Sequence, residues 1–268
     1  MQDNYKLGAI LALIGAVVGM LGFYLFTQIY NPLITTMVNL NRAHEGQSVR
    51  YTFAVLGYLT IGAGALWSLA LYGFLTRERW AWMLGVIAST LSILAGFFPA
   101  VPAMDAKTAP VTLAIFVPNL VLWLALFGVR KTDWRIVVLA LGAGIAFTLS
   151  FMDGVAPIAK FHETLDKDAT VNALYLFAQQ INWWASAAWA VFIFALVARK
   201  PWARVVGIGA GLLECWGGYP VGILNVLEVK RFSLFLPAPL LSTALVIFLM
   251  LPVGRKLLDD FARGDTQR

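Results

Sequence analysis

Charge is what this sequence has least of. Only 13% of its 268 residues are Asp, Glu, Lys or Arg, about half the share of an ordinary soluble domain. Cysteine occurs once, at Cys215, which excludes a disulfide within the chain and any zinc site built on a cysteine pair. Histidine occurs twice, at His44 and His162, both in expected loops, so haem ligation at membrane depth has no ligand. Also missing are a strand-borne glycine-rich phosphate loop, a serine elbow, a dinucleotide fingerprint and an HExxH pair. No cofactor is evident.

What fills the chain is apolar: 60% hydrophobic residues, with ten Trp and eighteen Phe. The runs 7–41, 51–76, 80–104, 108–129, 136–152, 169–198 and 232–254 carry no charge or almost none. Each lies in or above the range of ~17–25 residues that crosses a bilayer. An eighth, 205–227, is broken only by Glu214. The expectation is an all-α integral membrane protein of eight transmembrane helices. The first run is too long for a signal-peptide core of about 7–15 residues and has no small-x-small site behind it, so it reads as a retained helix.

The net charge of +6 is distributed by face. The N-terminus, the even-numbered links and the C-terminus together hold thirteen cations against six acids, while the opposite links hold seven of each. By the positive-inside rule both termini are cytoplasmic. The basicity therefore encodes orientation, and no nucleic-acid partner is expected. The short links and the retained first helix suit a bacterial plasma membrane.

The chain also repeats itself. "ALWSLALYGFLTRERWAWMLGV" (65–86) aligns with "AAWAVFIFALVARKPWARVVGI" (187–208), placing Trp67 on Trp189, Arg77 on Arg199 and Trp80 on Trp202 at one register. After a one-residue slip, "GFFP" (96–99) meets "GGYP" (217–220) and Pro118 meets Pro239. The pattern predicts two parallel four-helix repeats, 1–131 and 132–268, the second ending in a short amphipathic cytoplasmic tail.

Glu214 is the residue that asks for an explanation. It lies twelve residues after the interfacial Trp202, ~18 Å along a helix and so near the middle of a core ~30 Å thick. An acid there costs roughly 2.5–3.5 kcal/mol to insert. Gly207, Gly211 and Gly218 share its helical face, which turns it toward protein rather than lipid. The neutral partners on offer are Gln179, Gln180, Asn182, Asn119 and Tyr219, and Glu214, Gln179, Asn182, Asn119 and Tyr219 form the candidate ligand-binding set. Catalytic residues are not assigned. The two histidines are each followed by Glu, as His44–Glu45 and His162–Glu163, in equivalent external loops. Two imidazoles and two carboxylates are a possible metal set if those loops meet, against the plainer reading of solvated loop residues.

The functional expectation is a transporter or binder of a small amphipathic or ionic ligand at a mid-membrane polar site. The alternatives are a structural or accessory subunit docked on a membrane-protein partner, and a membrane enzyme acting on a lipid- or quinone-like substrate. In every case the first partner is the lipid bilayer.

Overall fold

The computed structural model describes residues 4–130, 132–163 and 168–264. It is helical, with no strand among the described residues. The chain divides into two compact units, Met1–Thr132 and Asp133–Arg268.

The first unit contains α1 (Tyr5–Asn39), α2 (Ala43–Leu75), α3 (Trp80–Phe97), the short α4 (Ala100–Asp105) and α5 (Leu113–Arg130). Neighbours in sequence are neighbours in space: α1 packs on α2, α2 on α3, α3 on α5, and α5 returns to α1. The second unit contains α6 (Trp134–Glu163), α7 (Ala169–Val197), α8 (Ala203–Val229), α9 (Pro237–Met250) and α10 (Pro252–Arg263). Its ring runs α6, α7, α8, α9 and back to α6.

Local chemistry explains the ends of these helices. Asn4 opens α1 by accepting the Leu7 N–H at 3.1 Å, and Asp168 opens α7 by accepting the Thr170 N–H at 2.7 Å. Both satisfy donors that a helix start leaves bare. The same turn closes α1 at Asn41, α4 at Lys107, and α2 and α7 at matched positions of the two units. Arg77 after α2 (φ 61°) and Arg199 after α7 (φ 54°) adopt the left-handed conformation. The next amides, Glu78 and Lys200, reach back to the Gly73 and Ala195 carbonyls at 2.7 and 2.8 Å. This is a Schellman closure with arginine where glycine is usual.

Among the described residues, six helical segments are long and apolar enough to cross a membrane: α1, α2, the stretch Trp80–Asp105, α5, Trp134–Ile158 and α7. A seventh counts only if α9 and α10, which meet at 73°, form one broken span. Of the eight expected crossings, the segment around Glu214 is thus not among them. Its helix, α8, has 27 residues, but six are glycine and its carboxylates dilute the hydropathy. The apolar surface fits a bilayer better than water. Leu13, Leu21, Phe23 and Tyr24 in the first unit and Trp184 and Trp216 in the second are all exposed, more large apolar side chains than a soluble surface usually shows.

Small residues let the helices close up. A Cβ on Gly19 of α1 would sit 2.7 Å from the Gly64 Cα of α2, so the two backbones touch there. Each unit also buries one tryptophan of its second helix completely, Trp67 in α2 and Trp189 in α7. Trp67 lies against Gly15 and Gly85, and Trp189 against Gly211.

Candidate functional site

The polar interior of the second unit begins with a proline. Pro157 lies inside α6 and has no N–H to give, so the carbonyl four residues earlier, that of Asp153, loses its intrahelical donor. Asn182 of α7 fills the gap, its Nδ2 donating to the Asp153 carbonyl at 3.2 Å. Two more donors from the same face of α7 follow. Trp183 Nε1 reaches the Gly154 carbonyl at 2.9 Å, and Ser186 Oγ reaches the Phe147 carbonyl at 3.2 Å. These bonds stitch α7 to α6 and fix the Asn182 side chain.

Around Asn182 collects a group of buried polar atoms with nothing to bond. Glu214 of α8 is fully buried and Asp153 of α6 is 4% exposed. Both Glu214 carboxyl oxygens, Asp153 Oδ2, Asn182 Oδ1 and the hydroxyls of Ser150 and Ser242 lack a hydrogen-bond partner. Asp153 and Glu214 are close enough to repel each other electrostatically. Ser150 Oγ lies beside the Glu214 carboxyl, yet no well-formed hydrogen bond closes between them. Glu214 Oε1 sits over Gly218, next to the ring of Pro239 from α9. Asn182 Oδ1 presses on Gly217 of α8, where any side chain would displace it. Ser242 contributes from α9, its backbone carbonyl against Gly211 one turn before Glu214. Phe151 and Trp183, ring centroids 5.0 Å apart, flank the cluster, and Trp183 is 39% exposed.

Chemically this is an acceptor-rich cluster that holds two buried carboxyl groups. Unpaired buried polar groups cost about 1–3 kcal/mol each, and native proteins keep few of them. No Lys, Arg or His side chain is paired with either carboxyl among the described residues. The arrangement suits a ligand that brings positive charge and hydrogen-bond donors.

The expected site residues divide. Glu214 and Asn182 are in the cluster. Gln179 is half-buried on α7, one turn before Asn182. Tyr219 looks to α9, its hydroxyl 2.8 Å from Thr243 Oγ1, which also lies 3.3 Å from Cys215 Sγ. Asn119 belongs to the first unit, on α5. It is fully buried, with Nδ2 bonded to the Ile115 carbonyl at 2.9 Å. Asp153 was not expected. The sequence places it one residue beyond an apolar run and hence in an external link, whereas α6 continues through Glu163. The spacing Ser150, Asp153, Pro157 on one helical face is the signal that marks it.

His44 and Glu45 lie in the first turn of α2. Glu45 is already engaged by Arg42, which also pairs with Asp105 at 2.6 Å. Those carboxylates, the Glu45 hydrogen bond foremost, push the Arg42 guanidinium above its ordinary pKa despite partial burial. The side chains of His162 and Glu163 lie outside the described residues. Among the described residues no three potential metal ligands come together.

No protein-family model, no curated protein and no solved structure matches the chain.

Proposed function

We propose that the protein is a multi-pass membrane transporter or binder whose second unit takes a small cationic ligand between Asp153 and Glu214. The ligand is ionic or amphipathic, with an ammonium-like group. The observation that carries this reading is the pair itself. Two carboxyls from different helices are buried together, with no basic side chain paired to them among the described residues and with the unpaired oxygens of Asn182 and Ser150 beside them. Isolated charge in such surroundings is expensive, and ionisable groups inside a membrane mark ligand or ion paths. The aromatic pair Phe151–Trp183 offers an apolar ligand body a surface, and Trp183 connects it to the outside of the helix bundle.

The same reading takes 1–131 and 132–268 as parallel copies of one four-helix bundle. It is supported by the equal neighbour order of the helices, the twin Schellman turns at Arg77 and Arg199, and the twin buried indoles Trp67 and Trp189. Glu214 corresponds to Ile93 in the first copy, so one copy stays apolar where the other carries the site. The charge asymmetry of the links supports cytoplasmic termini, and the short links suit a bacterial plasma membrane.

Native mass spectrometry of protein released from a mild detergent tests the site. The wild type should retain a small molecule that both Asp153→Asn and Glu214→Gln lose and that Asn119→Leu, in the other unit, keeps. A wild type that flies bare, or that carries a partner protein unaffected by the substitutions, contradicts this reading and favours an accessory subunit.

A further inference from the structure

A second candidate site lies at the end of the second unit where α7 passes into α8, and it shares no lining residue with the carboxyl cluster. The turn between those helices, the first turn of α8 and the helix α10 enclose a cavity of about 360 Å³. α10 arrives there because the chain bends by 73° between α9 and α10. The walls carry Arg199, Lys200, Arg204, Arg255 and Arg263 against a single carboxylate, Asp259.

The cations are held, but most are not neutralised. The Arg199 guanidinium lies over the Phe261 ring, 4.7 Å from its centroid. Arg204 Nε donates to the Leu249 carbonyl at 2.9 Å, which anchors the head group and leaves its other N–H donors for something else. Among the described residues the Asp259 carboxylate pairs only with Arg255, at a loose 3.8 Å, while Arg263 pairs with Asp260 at 2.7 Å and donates to the Asp259 carbonyl at 3.3 Å. Arg199, Lys200 and Arg204 have no carboxylate partner among the described residues. An anion that enters the hollow would be attracted by all of these charges at once. The guanidinium fork fits the paired oxygens of a phosphate better than a point charge does. The amides of Arg204 and Val205, at the start of α8, have no backbone acceptor and add donors of the same polarity.

We propose that this cavity binds a phosphate mono- or diester. Its source is either the headgroup of an anionic phospholipid or a phosphate compound from solution. The proposal does not depend on the carboxyl cluster.

The experiment uses the full-length protein in phosphatidylcholine nanodiscs, with and without phosphatidic acid, and reads retained lipid by native mass spectrometry. Inorganic phosphate is added in parallel to the pure phosphatidylcholine discs, with thermal unfolding as the readout. The variants are Lys200→Gln and Lys200→Gln/Arg255→Gln, both at exposed side chains, so that the anchored Arg199 and Arg204 stay in place. Arg77→Gln, the matching charge in the first unit, is the control. Each lost charge-assisted contact should weaken binding about tenfold, while Arg77→Gln should change nothing. Phosphatidic acid retained by the wild type and shed by the variants identifies a lipid headgroup. A rise in unfolding temperature with inorganic phosphate, lost in the same variants, identifies a soluble phosphate. If neither probe binds, or if Arg77→Gln weakens binding as much as Lys200→Gln, the proposal is overturned.

Discussion

Gly217→Ala is the smallest change that reaches the interior of the second unit. A Cβ at this position would fall onto Asn182 Oδ1, 2.8 Å from Asn182 Cγ and 3.0 Å from Ile181 Cγ2. Asn182 cannot step aside freely, because it is fully buried and its Nδ2 is committed to the Asp153 carbonyl. Overpacking of this kind costs typically about 1–3 kcal/mol, and giving up the Asn182 hydrogen bond a further ~0.5–1.5 kcal/mol. Against this stands the helix preference for Ala over Gly, worth up to ~1 kcal/mol. Gly209 on the same helix supplies the reference, since a Cβ there meets nothing within 4 Å and its substitution collects the helix preference alone. Gly217→Ala should therefore be less stable than Gly209→Ala by about 2–4 kcal/mol. Unfolding of both variants in the same mild detergent micelles, by heat or by titrated dodecyl sulfate, measures the difference. Equal stabilities, or a more stable Gly217→Ala, would refute the close approach of α7 and α8 at Asn182.

Trp82→Phe removes the indole N–H that donates to the Leu126 carbonyl at 2.6 Å in the buried seam between α3 and α5. It should lower stability by about 1 kcal/mol in the same unfolding assay. A neutral result would show that this bond is not formed. Asp168→Ala should loosen the start of α7, read as faster hydrogen exchange of the Thr170 amide. The backbone hydrogen bond from Thr170 holds the Asp168 carboxyl below the usual carboxylate range, so its contribution is present above the unfolded-state pKa of about 3.9. It fades as pH falls through the lower folded-state value. Wild type and Asp168→Ala should then converge in acid, and a difference that grows on acidification would contradict the cap. Arg42→Ala frees Glu45 and Asp105 together. Because these pairs are partly exposed, the loss should not exceed about 1 kcal/mol per pair and should shrink in high salt, and a larger, salt-independent loss would count against simple surface pairing.

Much of the helical layout could be read from the chain, because apolar runs of membrane length leave little else possible. Glu214 could be read too: one carboxylate on a glycine-lined face has to turn toward protein, and it is fully buried. Asp153 could not be read by the same rule. Charge marks the end of an apolar run when only hydropathy is counted, but α6 carries its acid inside the helix, nearly three turns before Glu163 and with Pro157 between. That proline does its work through a backbone carbonyl, and no composition measure registers a missing donor. The break between α9 and α10 was also hidden, since Leu251–Pro252 reads as apolar continuity while the backbone at Leu251 is extended (ψ 150°). Tyr219 and Asn119 were grouped with Glu214 by polarity alone. Tyr219 of α8 is bonded to Thr243 of α9, and Asn119 is bonded to the Ile115 carbonyl within α5.

The central claim is that Asp153 and Glu214 act as one cation-binding pair. Infrared difference spectroscopy of the reconstituted protein tests it most directly. The buffer cation is exchanged from a bulky quaternary ammonium to Na⁺ or to a small primary amine, and the carboxyl-stretch region is recorded. The account predicts a carboxyl response in the wild type that disappears in Asp153→Asn and equally in Glu214→Gln, because each group needs the other to hold the cation. No response to either cation, or a response that survives both substitutions, would contradict it.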